Sequence, residues 1–172
     1  MTIRTLPVML ILLVLLSSSV AFGQIGTAIP SKAVLLTVDG EVTTPLKLTA
    51  ADLAKLPRRS VRAKGHDGKE ASFDGVELGE VLKLAGVKLG EQLRGKELAL
   101  FLIVEAADNY RAVFCLPELD HGFTDRIILL ADLRDGKPLS EKEGPLRLVV
   151  PDEKREARWV RQVVTLTVRR SE

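Results

Sequence analysis

From residue 33 onward the chain reads as short apolar runs broken by polar turns, a pattern that predicts strands joined by hairpins rather than long helices. Asp-Gly pairs at Asp39-Gly40, Asp67-Gly68 and Asp135-Gly136 punctuate the runs, and this dipeptide supplies the left-handed residues of tight hairpin turns. The first pair separates a strand over residues 33–38 from a return over residues 41–48, where Pro45 marks an edge or a bend because it has no N–H to give to a ladder. Thr49 is placed to cap a short helix, with Asp52 in its first turn, Leu53 and Leu56 on its apolar side and Pro57 as its stop. Residues 60–64 and 70–73 flank the second pair as a polar hairpin, expected to be exposed.

The clearest helix follows, since Leu78, Val81, Leu82 and Ala85 fall at i, i+3, i+4 and i+7 and Gly86 stands just past the end as a left-handed cap. Residues 98–104 form a continuous apolar run of strand length, which predicts a central strand buried on both faces and paired with residues 110–116 across Asp108-Asn109. Apolar strands are expected over residues 127–130 and 146–150. In the last strand Val164, Leu166 and Val168 alternate with Thr165, Thr167 and Arg169, so one face meets water. With no repeat and no low-complexity linker, these elements predict a single β-rich α+β domain with a mixed sheet and two or three short helices.

The beginning of the chain is of another kind. Arg4 precedes an unbroken apolar run over residues 8–16, and Ser17, Ser18 and Ser19 follow, the order of a secretory signal. The run is shorter than the ~20 residues of a spanning helix, and Ala21 and Gly23 stand before a plausible cut ahead of Gln24. The expectation is a cleaved signal peptide over residues 1–23 and one domain over residues 24–172, exported to the periplasm or beyond with no stable membrane span; an uncleaved anchor is the alternative. Arg4 is a single arginine, so the twin-arginine signal that exports prefolded cofactor proteins is missing. Lys plus Arg number 25 against 23 for Asp plus Glu, so bulk charge argues against a nucleic-acid partner. Cys115 is the only cysteine, which excludes an internal disulfide, and its place in an apolar strand predicts a small buried hydrophobe.

Five blocks, "VDGEVTTPLKLTAADLAKLP", "FDGVELGEVLKLAGV", "AADNYRAVFCLPELD", "LLADLRDGKPLSEKEGPLRLVVP" and "ARWVRQVVTLTV", follow one another in an order that resembles the molybdopterin-binding domain of the sulfite oxidase family. The resemblance covers almost all of the chain after the signal and implies that family's α+β fold. It also implies a molybdenum held by one cysteine thiolate in the loop after the strand corresponding to residues 60–64. Here the sequence departs, because that loop reads Gly65-His66-Asp67-Gly68 and carries no thiolate. The loop is also shorter, and Phe73 stands at what resembles the family's tryptophan position.

Lys154, Arg155, Arg158 and Arg161 crowd around Trp159 before the last strand, and a guanidinium fork suits phosphate. In relatives the corresponding segment helps hold the phosphate and pterin of the cofactor, so the resemblance implies an anion site there. The alternative is a loop partly neutralised by Glu153 and Glu156, with Trp159 as a core anchor. A second basic group, Arg58, Arg59, Arg62 and Lys64, faces the same cleft if the family geometry holds. Tyr110 and Arg111 follow the Asp108-Asn109 turn, where active relatives carry an Asp-Gly-Tyr segment. The candidate cofactor-binding residues are Arg155, Arg158, Arg161, Arg62, His66 and Tyr110. One histidine beside one aspartate falls short of a metal site, so no metal ligand and no catalytic residue is assigned, and His121 is given no role.

No nucleophile elbow, phosphate-binding glycine loop or paired-cysteine zinc signature is present. The expected function is that of an exported, non-catalytic domain of this fold without a resident cofactor, binding a small anionic ligand or an exported protein partner. Two alternatives stand beside it: a molybdopterin-dependent oxidoreductase with a non-cysteine metal ligand, and an interaction module that uses a sheet edge or the Asp67-Gly68 hairpin.

Overall fold

The computed structural model describes residues 32–65 and 67–171, so the expected signal peptide with its cleavage site, and His66, lie outside the described residues. Strand β1 (Val34–Gly40) pairs antiparallel with β2 (Leu46–Thr49), which runs into helix α1 (Ala50–Leu53). The Thr49 hydroxyl accepts from the Asp52 N–H, and the Asp52 carboxylate accepts from the Thr49 N–H at 3.1 Å and from its hydroxyl at 2.7 Å. This reciprocal cap satisfies donors that the first helical turn leaves open.

Strands β3 (Arg58–Lys64) and β4 (Glu70–Glu77) form the hairpin around Asp67-Gly68. Its polarity predicts exposure, yet Val61, Ala63, Ala71 and Phe73 are buried, Phe73 completely. Successive side chains of a strand point to opposite faces, and one face of this hairpin lies on the core. Gly75 in β4 crosses so close to its neighbour that an added Cβ would lie 2.1 Å from the Leu130 carbonyl oxygen. Helix α2 (Leu78–Leu84) buries Leu78, Val81 and Leu82 and ends before Gly86 at φ +77°, the left-handed cap the sequence predicts.

Strands β5 (Leu100–Ala106) and β6 (Arg111–Cys115) pair across the Asp108-Asn109 turn, where Asn109 takes φ 68°. Three expectations fail here. The strand starts after a 3-10 turn (Gly95–Ala99) that leaves Leu98 exposed, and β5 is buried on one face only, with Phe101, Ile103 and Glu105 half-buried on the other. Cys115 is exposed rather than buried. Ala112 and Phe114 point inward, so the two-residue period of β6 puts Val113 and Cys115 on the outer face of the sheet.

Strands β7 (Leu129–Arg134) and β8 (Lys137–Pro138) turn at Asp135-Gly136, both with positive φ, and β9 (Arg147–Val149) also pairs with β7. With β10 (Val163–Arg170) the strands make two five-stranded sheets, β2-β1-β10-β5-β6 and β3-β4-β7-β8, the second carrying β9 on β7. The first sheet is mixed, because β1 lies parallel to β10 while its other neighbours are antiparallel. Inner faces of both sheets and α2 share one core, in which Leu36, Phe73, Leu82, Leu102, Phe114, Leu148 and Leu166 are fully buried. The α+β domain with two short α-helices thus agrees with the sequence reading. No helix among the described residues is long and apolar enough to cross a membrane.

Hydrogen bonds from the Thr49 hydroxyl and then the Thr49 N–H hold the Asp52 carboxyl at about 2, below its ordinary 3.8. A carboxyl depressed in the folded state adds stability that is present above its ordinary value and lost as pH falls from there toward 2. Asp52→Asn is therefore expected to lower the melting temperature near neutral pH and to have little effect near pH 2, which thermal unfolding across that window checks. Thr49→Ala is expected to cost about 1 kcal/mol near neutral pH.

Candidate functional site

At one end of the molecule the loops of both sheets converge: the tip of the β3–β4 hairpin, the β5–β6 turn, the segment before β9 and the segment between β9 and β10. They enclose a cleft of about 1010 Å³. Trp159 anchors one wall, since it is buried, donates its indole N–H to the Val150 carbonyl at 2.9 Å and stands edge-on to Phe73 with ring centres 5.9 Å apart. Gln162, at φ 51°, is fixed in this unusual conformation by donating its backbone N–H to the Glu143 carbonyl at 2.9 Å and its side-chain amide to the Glu141 carbonyl at 2.7 Å.

Arg147, the first residue of β9, enters the wall of the cleft at 3% exposure. Its guanidinium carbon lies 5.2 Å from the Trp159 ring centre and 5.6 Å from that of Phe73. Its Nη1 donates to Glu143, and its Nη2 donates to Glu156 Oε2 at 3.3 Å. Burial pushes this group below its ordinary value, and the Glu143 and Glu156 carboxylates pull in the opposite direction. Arg134 extends the network by donating to Asp67 at 2.9 Å and approaching Glu143 at 3.7 Å. Asp67, Glu143 and Glu156 are therefore engaged by two arginines of the cleft wall.

Lys142, Arg155 and Arg161 also line the cleft, all three exposed, and none of them takes part in an ion pair among the described residues. Two further carboxylates, Asp108 and Glu141, share the lining, and Asp108 is occupied in part by the Tyr110 N–H at 3.0 Å. The cleft thus combines a neutralised wall with an exposed cationic group at its surface.

The structure brings Arg155, Arg161 and Tyr110 together; the Tyr110 hydroxyl donates to the Ala157 carbonyl at 2.6 Å and ties the β5–β6 turn to the basic segment. Arg158 and Arg62 do not join them. Arg158 turns to the opposite side, donating to Glu153 at 2.7 Å, to Glu118 at 3.0 Å and to the Val113 carbonyl at 3.1 Å, with its guanidinium 4.3 Å from the Phe114 ring centre. Burial lowers its pKa, but the hydrogen bonds it donates to Glu118 and Glu153 outweigh that and raise it. The carboxylates and the aromatic plane on that side give it a better place than the cleft does.

Arg62 pairs with Glu70 on the exposed face of the hairpin, Arg58 grips Asp132 with both terminal nitrogens and Arg59 pairs with Glu77, so the two basic groups do not face one cleft. Arg111 pairs with Glu105. His66 is outside the described residues, although its neighbour Asp67 lines the cleft. His121, given no role by its sequence context, meets Glu77 at 2.6 Å. Sequence reasoning misses Arg134, Lys142 and Arg147. The signal for Arg147 is present: a charged residue inside the apolar run Leu146, Leu148, Val149 and Val150 is buried only if it is paired.

Among the described residues no group of three or more His, Cys, Asp or Glu side chains is placed to hold a metal ion, and Cys115 is not among the residues that line the cleft. The described donor set therefore suits an anion or a phosphate group and offers no thiolate to a metal.

The family model for the oxidoreductase molybdopterin binding domain matches residues 25–172. No curated protein matches the chain. Among solved structures, that of the sulfane dehydrogenase SoxCD from Paracoccus pantotrophus is similar with a TM-score of 0.64 and 24% sequence identity, over 81% of this chain and 39% of that one. At this identity the likeness concerns the fold, and the chain spans well under half the length of that relative.

Replacing Arg147 with Ala leaves the Glu143 and Glu156 carboxylates without their shared cation. The expected cost is about 3–5 kcal/mol, the range for breaking a buried ion pair from one side. Arg155→Ala, at an exposed position without an ion pair among the described residues, is expected to stay within about 0.5 kcal/mol of the parent; chemical denaturation of both variants checks the contrast.

Proposed function

Because the chain belongs to the oxidoreductase molybdopterin binding domain family, we propose that it is an exported, non-catalytic member of that family whose cleft binds a small oxyanion. The observation that carries this reading is the trio Lys142, Arg155 and Arg161, unpaired among the described residues, at the surface of a cleft whose other arginines are already neutralised. A free cation beside a concave, partly apolar wall is the arrangement that captures a phosphate, sulfate or carboxylate group from water. The export part of the proposal rests on Arg4, the apolar run over residues 8–16 and the small residues that follow.

The donor chemistry suits the phosphate-bearing end of a molybdopterin better than its metal end. Arg155 and Arg161 are the residues to hold such a phosphate, while no cysteine lines the cleft. A molybdopterin-dependent oxidoreductase with a non-cysteine ligand is the second reading, and the family match is what favours it. Neither reading assigns a catalytic residue. An exported protein partner at the same end of the molecule would meet the same cations.

Titration of the full chain with inorganic phosphate, followed by calorimetry, tests the proposal. The parent is expected to bind, and the Arg155→Ala/Arg161→Ala double variant is expected to bind at least about tenfold more weakly while melting at the same temperature, because each lost charge-assisted hydrogen bond contributes on the order of 1.5 kcal/mol. Rising sodium chloride is expected to weaken binding. Equal affinity in parent and double variant, or no binding to either, would overturn the reading.

A further inference from the structure

A guanidinium offers several N–H groups, and its Nε and Nη2 donate in parallel along one edge, a match for two oxygens of one carboxylate, phosphate or sulfate. In Arg147 that edge is only half used. Nη2 meets Glu156 at 3.3 Å, a long contact, and among the described residues the buried Nε has no acceptor. Nη1, on the other side, is taken by Glu143. The group cannot easily turn to improve matters, because its side chain is 4% exposed and its guanidinium lies against both Phe73 and Trp159.

Glu156 is held far less firmly than Arg147. It opens a three-residue 3-10 turn (Glu156–Arg158) that has no side-chain cap, and among the described residues its carboxylate has no partner other than Arg147. Both residues line the same cleft as the exposed Arg155 and Arg161. A buried donor left without an acceptor, next to a loosely held carboxylate, is a place where a better-fitting anion is favoured.

We infer that Glu156 is a displaceable latch on Arg147: an oxyanion with two adjacent oxygens takes the Nε and Nη2 edge, and the Glu156 side chain swings out into the cleft beside Arg155 and Arg161. One negative charge replaces another, so the wall stays neutral. This rests on the reading of the cleft as an anion site and narrows its ligand to bidentate oxyanions, against monatomic anions such as chloride. It also makes Glu156 the residue that sets affinity, since the ligand must compete with it.

The test uses the full chain, labelled with nitrogen-15, with inorganic phosphate as the probe. Phosphate binding is measured by calorimetry, and the Arg147 Nε–H signal is followed by nuclear magnetic resonance. In the parent that signal is expected to shift with phosphate and not with sodium chloride. Glu156→Gln is expected to tighten phosphate about tenfold, equivalent to ~1.4 kcal/mol. Glu153→Gln, which alters the pair with Arg158 outside the cleft, is expected to leave affinity within about twofold. Glu156→Ala serves as the second variant should Glu156→Gln fold poorly. Phosphate binding that is no tighter in either Glu156 variant, or that leaves the Arg147 signal unmoved, overturns the latch while sparing the cationic site. Absence of phosphate binding in the parent and in every variant overturns the anion site and the latch together.

Discussion

A guanidinium buried to 3% exposure is tolerable only if its charge and its N–H groups find partners, and the end of this molecule is organised around meeting that demand for Arg147. β9 delivers the arginine, β4 supplies the Phe73 face, the segment before β10 supplies Trp159 and Glu156, and the segment before β9 supplies Glu143. Elements far apart in sequence are thereby held in one arrangement. Trp159 is both a core residue and a wall of the cleft, because the same ring that packs on Phe73 also carries the guanidinium.

That arrangement separates the charges into two classes. Arg134 and Arg147 are enclosed and neutralised by Asp67, Glu143 and Glu156, so they build the wall. Lys142, Arg155 and Arg161 remain at the surface without ion pairs among the described residues. The first class fixes geometry and the second leaves cations open at the surface, a division that a count of charges along the chain does not show. Arg158 illustrates the point: it sits between Arg155 and Arg161 in sequence, yet Glu118, Glu153 and Phe114 draw it to the other side of the segment.

Much of the fold was legible, because local signals and tertiary packing agree. The Thr49 cap, the Gly86 cap, the Asp135-Gly136 turn and the positive φ of Asn109 all follow from residue types at fixed offsets. The failures share one cause. Whether a strand is covered on one face or two depends on what the rest of the chain lays over it, so the sequence overstates the burial of β5 and Cys115 and understates that of the β3–β4 hairpin. The site was legible in part: Arg155, Arg161 and Tyr110 meet at the cleft, but pairings across long separations, such as Arg58 with Asp132 or Arg134 with Asp67, leave no local mark. Arg147 left one, as a charge inside an apolar run, and the question it raises is which carboxylates pair with it.

The central claim is that the cleft serves an anion and not a metal. Molybdenum and pterin content, measured on protein purified from its native source by elemental analysis and by pterin fluorescence after acid oxidation, tests it most directly. The account predicts no stoichiometric molybdenum; close to one molybdenum per chain, accompanied by pterin, would contradict it.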